Sequence, residues 1–114
     1  TPLQALVMLN DPHVLEASRV LAERLAKEHP TIEEQLSQAF KRIVCRSMKP
    51  QEIELLTSYY EEEKTFYNQN IKDAKKLLAI GEYPHAEETD PVSTAALMQV
   101  IHTIYNMEEA ITKT

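Results

Sequence analysis

The chain has 114 residues, with 12 Lys+Arg against 18 Asp+Glu, a net charge of −6 and 43% hydrophobic residues. This is one domain's length with a single modest core, too apolar for a disordered or collagen-like chain and too acidic for a nucleic-acid binder, which needs surplus cations to displace counterions from phosphate. One Gly in 114 residues supplies neither a phosphate-cradling loop nor a series of tight hairpins, so an all-α fold without a sheet is expected.

Thr1-Pro2-Leu3-Gln4 is a helix start. Thr caps, Pro takes the first position where its missing N–H costs nothing, and Gln stands at the capping-box position. The first predicted helix covers residues 2–9. Asn10-Asp11-Pro12 ends it and begins the second, over 12–28, with Asp11 suited to accept the free first-turn N–H groups. Val14, Leu15, Ser18, Leu21, Ala22 and Leu25 form its inward stripe, and Glu16, Arg19, Glu23 and Lys27 are assigned to the wet side. His29-Pro30 ends it. Thr31-x-x-Glu34 is a capping box for a third helix reaching Arg46, with Ile32, Leu36, Ala39, Phe40, Ile43 and Val44 inward.

Pro50 opens a fourth helix reaching Tyr67, with Ile53, Leu56, Tyr60 and Tyr67 inward and Leu55, Tyr59 and Phe66 at the edges. Asn70 is the expected N-cap of a short fifth helix over 71–80, which buries Ala74, Leu77 and Leu78. Gly81 fits a left-handed helix end, and 82–89 is a polar loop. Asp90-Pro91 starts the sixth helix, over 91–111, with Val92, Ala95, Ala96, Val100, Ile101, Ile104, Tyr105 and Ile111 as its apolar set. Six helices on short links predict one domain over 1–114, an antiparallel bundle or stacked helical hairpins. No fixed-period repeat supports a solenoid.

Candidate chemistry is sparse. Cys45 stands alone on an apolar stripe and reads as a small buried hydrophobe. His13, His29, His85 and His102 lack the spacing of a zinc site; His102, in an apolar helix, reads as a hydrogen-bonded core residue. The loop from His85 to Asp90 gathers three carboxylates without the turn geometry calcium requires, and Asp90 serves better as a cap. Glu61-Glu62-Glu63 fan out around a helix and read as a solvated face. Tyr59, Tyr60, Phe66 and Tyr67 suit core packing better than a sugar-stacking surface. No metal, haem or other cofactor site is expected, and no apolar run approaches the ~20 residues that span a bilayer. The opening helix is apolar almost all round, so it is expected to be central or to dock on an absent upstream domain, with Gln4, Asn10 and Asp11 as candidate contacts at that boundary. No signal peptide is visible. The chain opens at Thr1 without Met, inside a helix cap, as expected of a piece excised from a longer protein.

The segment Thr1-Pro2-Leu3-Gln4-Ala5-Leu6-Val7-Met8-Leu9-Asn10-Asp11-Pro12 closely resembles the Thr-Pro-Leu-Gln-Ala-Leu…Leu-Asn-Asp-Pro stretch of the planctomycete-specific domain family, domain of unknown function 1553. Glu16 to Ala22, Ala39 to Arg42 with Arg46, Pro50 to Ile53, Ala74 to Glu82 and Asn106 to Thr112 resemble later parts of that family in order. The resemblance implies a C-terminal helical part of a long exported or periplasmic bacterial protein, with a cytochrome-c-like domain and a further uncharacterised domain upstream. It transfers no reaction and no catalytic residue. The upstream domains of the same parent chain are the implied partners. A structural or interaction role without catalysis is therefore expected. The alternatives are a share in a composite active site for glycan breakdown or electron transfer, and a helix-hairpin scaffold that binds peptides in a groove, which a mixed-charge surface with no large apolar gap would count against.

Overall fold

The computed structural model describes residues 12–79 and 90–112, the side chains of 12, 13 and 108–112 excepted. Five helices account for nearly all of it: α1 Pro12–Glu28, α2 Ile32–Val44, α3 Pro50–Gln69, α4 Ile71–Leu78 and α5 Pro91–Thr112. No strand occurs among the described residues. The first predicted helix, Gly81 and the 82–89 loop lie outside them.

Proline marks three of the starts, Pro12, Pro50 and Pro91, because a first-turn N–H has no helical acceptor to lose. Asp90 caps α5 as expected: its carboxylate accepts from the Val92 and Ser93 backbone N–H groups, each at 3.4 Å, and from the Ser93 hydroxyl at 2.7 Å. Thr31 Oγ1 accepts from the Glu34 N–H at 3.3 Å and caps α2. Asn70 stands at the N-cap of α4 as expected but does not cap it with its side chain. Its amide instead donates 2.8 Å back to the Phe66 carbonyl, closing the end of α3.

α5 is the hub. It packs on α1, α2, α3 and α4, while those four otherwise touch mainly their chain neighbours. The reason is composition. From Val92 to Asn106 every described position except Ser93, Gln99 and Tyr105 is buried, so one face of contact would not suffice and the other helices surround it. Leu97, Met98, Val100, Ile101 and Ile104 meet Ala22, Leu25, Leu36, Phe40, Leu56 and Leu78 in the main core. A smaller cluster joins Tyr67, Ala74, Val92 and Ala95 at the α3–α4 corner. The radius of gyration, 13.2 Å, is that of a closely packed chain of this length.

Further sequence readings are corrected. Arg19 and Glu23, assigned to water, are buried at 0% and 6% exposure. Arg19 follows Leu15 by four residues and precedes Ala22 by three, which places it on the face that α1 turns towards its neighbours. Ile53, assigned inward, is 39% exposed, because α3 turns Leu56 and Tyr60 to the core and leaves Ile53 at the rim. Helix α2 stops at Val44, two residues short of Arg46, when Cys45 enters the left-handed region at φ 66°. Cys45 is consequently an exposed C-cap residue and not a core hydrophobe, its N–H bonded to the Lys41 carbonyl at 3.0 Å.

Candidate functional site

Among the described residues, polar side chains gather in three constellations, and open grooves lie apart from them. The deepest constellation lies on α1. Arg19 donates from Nη1 to Glu23 Oε1 at 2.8 Å and approaches Glu16 Oε2 at 3.9 Å, with its own side chain almost wholly shielded. α5 buries the polar residues Thr94, His102, Thr103 and Asn106, and the Asn106 amide donates to the His102 carbonyl at 2.8 Å. None of Arg19, Glu23, His102 or Asn106 lacks a partner. Two charges removed from water require such neutralisation, because an unpaired buried ion costs several kcal/mol (about 3–5 when one partner is deleted).

The second constellation is a seam between α3 and α5. The Tyr59 hydroxyl meets Thr103 and Glu63, and burial pushes it up to about 12, Thr103 opposing and the Glu63 charge adding. Burial also raises the Glu63 carboxyl, offset by the Tyr59 hydrogen bond and reinforced by the neighbouring Glu62 charge. One turn on, Gln99 Nε2 donates to Tyr67 Oη at 3.0 Å. Burial raises Tyr67 as well. Of the run read as a solvated face, Glu61 and Glu62 are exposed, but Glu63 is half-buried and belongs to this seam. Its position one turn after Tyr59 was the available signal.

The third clasps the α2–α3 turn. Arg46 donates through both terminal nitrogens to Glu52, each at 2.8 Å, and lies 4.9 Å from the Phe40 ring centroid. The Lys49 N–H adds a 2.8 Å bond to Glu52 Oε1. Led by the Arg46 fork, these donors hold the Glu52 carboxyl down at about 2. All three constellations are made within the fold.

The grooves are elsewhere. One of about 590 Å³ runs between α2 and α3, with Met48 and Ile53 as apolar lining and Glu33, Glu34 and His29 on its polar side. His29 Nδ1 stands 3.8 Å from Glu34 Oε2. A second, about 480 Å³, has Val20, Leu21, Ile43 and Tyr105 as its floor and Arg24 and Arg42 at its margin. A third, about 310 Å³, lies where Tyr60 and Lys64 of α3 approach Thr94 and Leu97 of α5. The buried Arg19–Glu23 pair and the Tyr59–Glu63 pair line none of the three.

Gln4, Asn10 and Asp11, the candidate interdomain contacts, lie outside the described residues, as do His85 and the side chain of His13. His29 stands at a groove and His102 in the core, so the structure does not bring these two together. Tyr60 and Tyr67 are buried, Tyr59 is intermediate and Phe66 exposed, as their helical spacing requires. Among the described residues no three His, Cys, Asp or Glu side chains gather as a metal site, and no helix is long and apolar enough to cross a membrane.

No curated protein and no solved structure matches the chain. A family model described as PSD1, protein of unknown function (DUF1553), matches residues 1–60. That span includes the opening Thr-Pro-Leu-Gln segment, α1, α2 and the clasped turn into α3. With more than half of its length so matched, the chain belongs to the DUF1553 family.

Proposed function

We propose that the chain is a helical interaction module without catalysis of its own. In this reading residues 1–114 form a single C-terminal domain that packs against the upstream domains of a longer, exported parent chain, a cytochrome-c-type domain among them. The observation that carries the reading is a separation. The buried ion pair and the tyrosine–glutamate seam are made inside the fold, while the space on the surface is open and lined by mixed apolar and charged side chains. A catalytic site normally brings several perturbed groups and a cavity together, whereas Tyr105, raised by burial, lines the second groove with no acid or base partner among that groove's lining residues. Open grooves of mixed polarity suit a partner surface.

The test is reconstitution in trans. The 114-residue chain and the upstream remainder of its parent, made as separate polypeptides, should form a complex in sedimentation velocity at micromolar concentration. Two independent species would overturn the reading, as would glycan turnover by the 114-residue chain alone.

The rival is a composite active site shared with the upstream domains, with Gln4, Asn10 and Asp11 at the boundary. It requires that Gln4→Ala, Asn10→Ala or Asp11→Ala abolish the parent's activity at unchanged melting temperature. Activity that falls only in step with stability removes it.

A further inference from the structure

We infer that the groove between α1, the end of α2 and α5 docks an acidic amphipathic helix, with its apolar side chains on the floor and its carboxylates on Arg24 and Arg42. The module reading supplies the context, and this inference names the chemistry of the partner.

Two features of the groove point to that occupant. On α1, Ala17, Val20, Leu21 and Arg24 recur at helical spacing and form a face distinct from the buried one of Ser18, Ala22 and Leu25. Ala17 is small and exposed, so another backbone can come close there, and Ile43 and Tyr105 complete a half-buried apolar floor. This is the groove into which an amphipathic helix lays an i, i+3, i+4, i+7 stripe.

Charge decides the sign of the partner. The chain carries −6 overall, yet the two charged residues lining this groove are both arginines. Arg24 is 66% exposed and holds Glu28 only at 3.8 Å; Arg42 is exposed and makes no ion pair among the described residues. Arg42 also suits the C-terminal end of α2, where a cation meets the helix dipole, but that does not explain Arg24 on another helix at the same opening. Guanidinium forks bind carboxylates in two-point fashion and desolvate more readily than ammonium groups, so they fit the edge of an apolar contact.

The probe is a fluorescein-labelled peptide of about 14 residues, ~20 Å long as a helix, with leucines at helical spacing flanked by glutamates. Its twin carries lysines in place of the glutamates. Anisotropy titrations against the 114-residue chain should show the acidic peptide binding at least about tenfold more tightly than the basic one, a difference of about 1.4 kcal/mol. Arg24→Glu with Arg42→Glu should invert that order. Ala17→Glu, at an exposed site, should weaken the acidic peptide with unchanged circular dichroism. Equal binding of the twins, or undiminished binding by the arginine variant, overturns the assignment. So does self-association that the arginine variant abolishes, or binding to anionic phospholipid vesicles but not to the peptide. The module reading fails separately. If the upstream part of the parent binds wild type and arginine variant alike, the groove is wrong and the module stands; if it binds neither, the module falls while the peptide titration still judges the groove.

Discussion

Glu52 and Cys45 show what the short connection from α2 to α3 asks of the residues that close it. The Arg46 fork and the Lys49 N–H hold the Glu52 carboxyl at about 2, against an ordinary 4.5. A folded value below the unfolded one adds stability that is complete above about pH 4.5 and is lost as pH falls towards 2. Arg46 is 40% exposed, so water screens the pair, and the discounted contribution is about 1 kcal/mol. Glu52→Gln should therefore lower urea stability by about 1 kcal/mol at pH 7 and by only a small part of that at pH 2, where the folded carboxyl is half protonated. An equal loss at both pH values would mean that the side chain acts by packing and not by charge. Cys45 stands at φ 66°, where a β-carbon costs about 1–2 kcal/mol that glycine avoids at about 0.5–1 kcal/mol of unfolded-state entropy. Cys45→Gly should thus stabilise by about 0.5–1 kcal/mol in the same titration, and a loss would show that the thiol has a role the cap does not explain. Neither feature was readable beforehand. A left-handed residue normally announces itself as Gly or Asn, and the Arg46–Glu52 pair spans six residues across a bend whose direction the sequence does not reveal.

Helices are the scale at which the sequence was most informative. Pro12, Pro50 and Pro91 begin three helices at the residues their missing N–H groups favour, and Thr31 and Asp90 cap two as their side chains allow. These are local effects, decided within one turn. What pattern could not convey is the rank of each helix. Residues 91–111 read as one more amphipathic rod, yet α5 is enclosed by four partners and buries Thr94, His102, Thr103 and Asn106 with its aliphatic residues. Arg19 of α1 is also out of water, a residue whose charge argues for the surface while its spacing argues for the interior. Truncation separates the ranks. Ile101→Ala, in the buried stretch of α5, should cost about 2–5 kcal/mol. Leu55→Ala, 50% exposed on α3, should stay within about 0.5 kcal/mol. Comparable costs in chemical denaturation would mean that α3 is covered on its outer face or that α5 is not the hub.

The hub arrangement determines how the described fold should come apart. In a stack of hairpins each pair meets only its neighbours, so the ends can melt first. Here α1, α2, α3 and α4 all rest on one helix, and none of them keeps its apolar face covered once α5 leaves. Loss of α5 therefore exposes Leu25, Leu36, Leu56 and Leu78 together, at about 1.5–3 kcal/mol for each fully buried side chain. No partly unfolded state that lacks α5 retains enough burial to be populated. Unfolding should be two-state, with far-ultraviolet circular dichroism and tyrosine fluorescence tracing one transition, and Ile101→Ala should move both midpoints together at constant m. Native-state hydrogen exchange gives the sharper reading. Mid-helix amides of α1, α2, α3 and α5 should open at one common free energy, while α4, with eight residues, is short enough to open at a lower one. Amides of α1 and α2 that exchange well below those of α3 and α5 would make the molecule two hairpin units, and the contact of α1 with α5 would then be an interface that opens on its own.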